Sequence, residues 1–216
     1  MRASGEGSPT HRTNLDRALG QRDFVESRGF PMALMNRRRF TVDEYYRMGE
    51  AGILSEGDRV ELIEGEIIQM PPIGPLHDSD VDRFAELFFL TYGGEANVRV
   101  QNPARLSDFT EPQPDLMLLR RRDDFYRSGH PQPEDVLLLV EIADTTLAFD
   151  RRVKLPVYAR TGIREVWIVD VREKVITAYR EPESDGYRVA RVFRMGDEIA
   201  PEAFPTKPLR VAELLG

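Results

Sequence analysis

The stretch Leu137–Leu155, LLLVEIADTTLAFDRRVKL, passes from an apolar run into a charged one. A short, continuous, β-rich apolar run belongs in a strand covered on both faces, at the centre of a sheet. Glu141 closes that run, and Lys154 follows on the next element. DRRVKLPVYARTG predicts a helix ending at Gly162. Pro156 lacks a backbone N–H, so the helix must begin irregularly or kink there. REVWIVDV then supplies a second buried strand over Val166–Val171. Strand, helix and strand in this order predict a right-handed crossover between parallel neighbours.

Outward from this unit, the pattern is mixed. FTVDEYYRMGEAGIL opens a helix with Thr41 as N-cap and Glu44 three residues on, and Gly52 stops it. DRVELIEGEIIQM reads as two strands around a Glu-Gly turn. In LHDSDVDRFAELFFLTYGG, Val81, Phe84, Ala85, Phe88 and Phe89 fall at helical spacing before Gly93-Gly94. ANVRVQNPARL alternates as a strand pair or a bent strand, and PDLMLL is a short buried strand. KVITAYREPESDGYRVARVF is a hairpin about Asp185-Gly186, and the tail is extended with a final short helix. The fold class is α/β (α+β): a mixed sheet flanked by helices, with an additional N-terminal hairpin and helix. Residues 1–35 are polar and Gly/Ser-containing, which predicts a poorly ordered arm with a short helix near Leu15–Glu26. Met32 or Met35 would suit the start of the folded part, and residues 36–216 form one domain.

Composition narrows the chemistry. The 216 residues contain no cysteine, which excludes disulfides, thiolate metal sites and a thiol nucleophile. No apolar run approaches the roughly 18 residues that span a bilayer, and the N-terminus lacks the apolar core of a signal peptide. A cytoplasmic location is expected. The net charge of −7 argues against broad coating of nucleic acid but leaves local binding open. The arginine clusters at 37–39, 120–122 and 151–152 read first as solvated surface.

Asp115, at the entry to PDLMLL, and Glu141 are two carboxylates on apolar strands. Burying either unpaired is costly, so something positive should meet them. Mg²⁺ takes oxygen ligands from one or two carboxylates plus water. Lys154 is a second positive partner, pointing back over the strand end from the helix start. Two carboxylates, a metal and a lysine suit phosphodiester hydrolysis. The spacing equally allows a turn-closing Asp115 and an ordinary Glu141–Lys154 ion pair.

The segments ELIEGEIIQMPP, QPDLMLL, VEIADTTLAFDRRVKLPVYARTGIREVWIVD and the closing FP…L resemble the Uma-two family of endonucleases, over roughly Arg39 to Leu215. That family is similar to the PD-(D/E)XK restriction-endonuclease fold. The resemblance implies a mixed sheet with helices on each side and Mg²⁺-dependent (or Mn²⁺-dependent) DNA cleavage. It assigns Asp115 and Glu141 as metal ligands. The usual lysine position, two residues after the acid, holds Ala143 here, and Lys154 resembles the family's migrated lysine. It also makes Glu61, Glu64, His77 and Gln113 auxiliary candidates. Asp150 reads as an N-cap, and Trp167 and Tyr158 read as core. A homodimer is expected, so that two sites address two strands. The rival readings are a non-catalytic nucleic-acid-binding or interaction protein of the same fold, and a metal-dependent phosphohydrolase of small phosphates.

Overall fold

The structure, a computed structural model, describes residues 37–55 and 57–216. The expected arm over 1–35 and its short helix lie outside the described residues. α1 (Val42–Glu50) opens with the expected capping box. Thr41 Oγ1 accepts from the Glu44 N–H at 3.2 Å, and the Glu44 carboxylate accepts from the Thr41 N–H at 3.0 Å. β1 (Val60–Ile63) and β2 (Glu66–Gln69) form an antiparallel hairpin. Its turn residues Glu64 and Gly65 have φ of 50° and 81°, the left-handed pair that suits strand twist. A Cβ on Gly65 would lie 2.5 Å from Arg39 Cβ, so this position requires glycine.

α2 (Pro75–Tyr92) starts a turn and a half before its apolar stripe, with Pro75 at its first position. β3 (Ala96–Val100), β4 (Leu116–Arg120) and β5 (Val136–Ala143) follow. β3 ends where Gln101 turns to a φ of 48°, so the stretch expected as a strand pair is one strand and a loop. The helix after β5 comes in three pieces: α3 (Leu147–Phe149), a π-helical turn over Asp150–Lys154, and α4 (Leu155–Arg160). The Leu155 N–H donates to the Asp150 carbonyl, one residue further back than in an α-helix. Pro156 has no N–H to restore the tighter bonding, and this is the irregularity its presence required. β6 (Glu165–Asp170), β7 (Val175–Glu183) and β8 (Gly186–Phe193) complete the sheet. β9 (Glu198–Ile199), β10 (Leu209–Arg210) and α5 (Val211–Leu215) close the chain.

The main sheet runs β3-β4-β5-β6-β7-β8, with β5 and β6 parallel and every other neighbouring pair antiparallel. Period-2 alternation gives it two apolar faces. Leu118, Leu138, Val140, Ile142 and Trp167 pack with Phe84, Phe88, Tyr92 and Leu214 from α2 and α5. Met117, Leu119, Leu139, Val166 and Ile168 pack with Leu155, Tyr158 and Ile163 on the other side. β5 is therefore covered on both faces, as its unbroken apolar run demands. Full burial of each such side chain stabilises by about 1.5–3 kcal/mol. Among the described residues, no helix is long and apolar enough to cross a membrane.

Candidate functional site

β4 and β5 pair with Leu116 opposite Val140. One step further, Asp115 stands across from Glu141. The Asp115 carboxylate turns to the neighbouring strand, where Oδ2 accepts the Ile142 N–H at 2.8 Å. The same oxygen lies 3.2 Å from His77 Nε2, and Gln101 Nε2 donates to Oδ1 at 3.4 Å. Asp115 is thus held by strand, helix and loop at once.

Glu141 meets Lys154 as its spacing suggested. Nζ donates to Glu141 Oε1 and to Glu61 Oε1, each at 3.1 Å. Glu61 Oε2 lies 3.0 Å from the same nitrogen as an ion pair without hydrogen-bond geometry. The Gln113 N–H holds Glu61 Oε1 at 3.1 Å. Tyr158 also donates to Glu141 Oε1. These groups are almost sealed: Lys154 is 2 % exposed, Glu141 3 % and Glu61 4 %.

Burial pushes the Glu141 carboxyl well above the usual range, and Asp150, Asp115 and Glu61 add to this against the opposing pull of Lys154. Burial would lower the Lys154 pKa, but Glu141, Glu61 and Asp150 outweigh it and raise it. Burial is the larger cause at Glu141, whereas at Lys154 the surrounding carboxylates outweigh burial. Lys154 keeps its proton, and the cluster remains short of positive charge. Desolvation opposes the charge on His77, but its bond to Asp115 prevails and raises its pKa.

The cluster forms the floor of a cleft of about 1040 Å³. Its lining includes Glu61, Glu111, Asp115, Glu141, Asp144 and Asp150, with Arg59, Lys154 and His77 as cationic or ionisable partners. Among the described residues, no group of three or more His, Asp or Glu side chains is arranged to hold a metal ion. Glu141 Oε1 is taken by Lys154 and Tyr158. Asp115 Oδ2 is likewise engaged by the Ile142 N–H, and Glu61 Oε2 is left without a hydrogen-bond partner.

Of the auxiliary candidates, Glu61, His77 and the Gln113 backbone join the cluster, and Glu64 does not. Glu64 sits on the hairpin turn and pairs with Arg160 at 2.8 Å on the surface. A turn residue lies outside the alternation that directs Glu61 inward. Asp150 is not an N-cap. It lies inside the π-turn, 2 % exposed, and accepts from Thr146 Oγ1 at 2.7 Å. Trp167 is core, as read. Tyr158 is core by its ring, but its hydroxyl belongs to the site. Glu111 was also missed: it is 3 % exposed, and Tyr46 donates to its Oε1 at 2.6 Å.

The Uma2 family, described as "Putative restriction endonuclease", matches residues 42–212. The chain belongs to the Uma2 family. A crystal structure of "a putative nuclease belonging to DUF820" from Anabaena variabilis is similar, with a TM-score of 0.61 and 18 % identity. That likeness covers 82 % of this Uma2 chain and 97 % of the Anabaena chain, and it establishes a shared fold. No curated protein matches the chain. Both the family description and the fold are nuclease-like. Every element that builds the cleft floor, from β1 to α4, lies inside the Uma2 match.

Proposed function

We propose that this Uma2 chain is a Mg²⁺-dependent endonuclease, with Mn²⁺ as a substitute, that hydrolyses DNA phosphodiester bonds. The observation that carries this reading is the meeting of Lys154 with Glu141 and Glu61 beside Asp115, on the floor of an open cleft. The family's description as a restriction endonuclease supports the reaction class.

The donor set fits a hard divalent cation. It offers carboxylate oxygens only, it is short of positive charge, and two carboxylates plus water are the usual complement for Mg²⁺. Asp115 and Glu141 would hold the ion. Bound there, Mg²⁺ supplies polarisation of a phosphate oxygen and acidification of a coordinated water. The protein's own groups do the rest. The Ile142 N–H fixes the Asp115 carboxylate, and Lys154 and Tyr158 fix that of Glu141. Lys154 holds its proton at neutral pH, so it contributes charge and orientation and leaves proton removal to another group. A cysteine-free chain suits the cytoplasm, and two copies would bring two sites to two strands.

The test is plasmid and single-stranded DNA incubated with Mg²⁺ or Mn²⁺, comparing wild type with Asp115→Ala and Lys154→Ala. Cleavage by wild type and its loss in both variants is expected. Cleavage surviving both substitutions sinks the site assignment. DNA binding without cleavage under either metal favours the non-catalytic reading, and turnover of a small phosphodiester alone favours the phosphohydrolase.

A further inference from the structure

Tyr158 reads from sequence as core, and its ring does pack there, against the sheet face that carries Met117, Leu139 and Ile168. Its hydroxyl has a different setting. It is fully inside the protein and donates to Glu141 Oε1, the oxygen that Lys154 also holds. Lys154 and Tyr158 are four residues apart, on one face of the helix that follows β5. Two donors from one helix therefore converge on one carboxylate oxygen. A carboxylate gripped at Oε1 can rotate only by breaking both bonds, and Oε2 is the oxygen that neither donor holds.

We infer that Tyr158 is a positioning residue for cation binding: its hydroxyl fixes Glu141 so that Oε2 alone faces the divalent ion. The inference rests on the proposed Asp115–Glu141 cation site and adds a residue to it. Lys154 by itself does not provide this constraint. Its ammonium is shared with Glu61, and it can follow Glu141 through a rotation, whereas a phenol hydroxyl at the end of a packed ring stays where the core puts it. Hydrogen-bond partners behind a metal ligand typically contribute about 10–100-fold in metal affinity.

Tyr158→Phe keeps the ring and deletes the hydroxyl. Mn²⁺ binding to the full chain, followed by electron paramagnetic resonance without DNA, separates positioning from packing. The expected result is Mn²⁺ affinity about tenfold weaker or worse in Tyr158→Phe. The control is Tyr92→Phe, which deletes another buried hydroxyl, one that bonds the Lys207 carbonyl at 2.9 Å in a different part of the core. Its Mn²⁺ affinity should stay at the wild-type value. Unchanged affinity in Tyr158→Phe overturns the inference, and so does an equal loss in both variants, which would mark general loosening. If wild type and Tyr158→Phe alike bind no Mn²⁺, the cation site itself fails and takes the inference with it. Should Tyr158→Phe not fold, 3-fluorotyrosine at position 158 gives a fluorine resonance. That resonance must shift on Mg²⁺ addition with the midpoint of binding, and a stationary signal overturns the inference.

Discussion

Lys154 Nζ lies 3.1 Å from Glu141 Oε1, although the two residues come from different elements and are thirteen positions apart. The contact is buried on both sides, so neither charge has water to fall back on. Removing one partner leaves the other as an uncompensated charge in the protein interior. Lys154→Ala should therefore lower unfolding free energy by roughly 3–5 kcal/mol in urea titrations. Lys154→Met combined with Glu141→Gln should recover part of that loss, since an uncharged pair avoids the same desolvation. Glu64→Ala, on the exposed hairpin turn, should leave stability near wild type.

The hairpin that carries Glu61 depends on Gly65. An alanine there would need a positive φ and would press on Arg39 Cβ. Gly65→Ala should destabilise by about 1–3 kcal/mol. Because Glu61 shares Lys154 with Glu141, the same substitution should weaken Mn²⁺ binding more than Glu64→Ala does. Paired urea and paramagnetic-resonance titrations check both parts.

The cleft is acidic, with Glu61, Glu111, Asp115, Glu141, Asp144 and Asp150 among its lining residues. A polyanion approaching this wall is repelled until cations intervene. DNA affinity should rise at least about tenfold between chelator and millimolar Mg²⁺, beyond the screening that equal ionic strength of NaCl gives. Asp115→Ala should lose most of the increment. Fluorescence anisotropy with a labelled duplex measures it.

Alkaline pH should unfold the protein cooperatively. Burial pushes the Tyr126 phenol up to about 12, with the Asp135 charge adding to it. Burial also raises Tyr92, with a further contribution from Glu165, and Tyr187. Each group is neutral in the fold and ionises near pH 10 once unfolded. Above that pH the unfolded state binds fewer protons than the native state, so stability falls as pH rises. Tyrosinate absorbance should rise most steeply where circular dichroism is lost.

The unit from β5 to β6 was legible because its signals are local: an apolar run of strand length, a proline, a closing glycine and a second apolar run. The Thr41 capping box and the Glu64-Gly65 turn were legible for the same reason. The relation of Asp115 to Glu141 was expected from the family resemblance and not from spacing, because it depends on the register of β4 against β5, which no single segment encodes. Glu61 and Glu64 carried equal weight in the sequence. Only the strand alternation, once its inward face is known, separates them. The Tyr158 hydroxyl was hidden by its own ring, since a tyrosine in an apolar helix is core whether or not its oxygen has work elsewhere. Its four-residue spacing from Lys154 was the available signal. Glu111 lies in a loop with no periodicity to interpret.

Thr146, Asp150, Lys154 and Tyr158 recur at every fourth position, and the π-turn falls between the second and third of them. Along an α-helix, a four-residue step overshoots one full turn by about 40°, so such a row winds steadily around the axis. The π-turn is wider, at about 4.4 residues per turn, and a four-residue step there falls short by roughly 30°. One wide turn thus cancels most of one tight turn's drift. Over its three steps the row drifts by about 50° instead of the roughly 120° of an unbroken α-helix, and Pro156 holds the drift down by denying the helix the bond that would restore the winding.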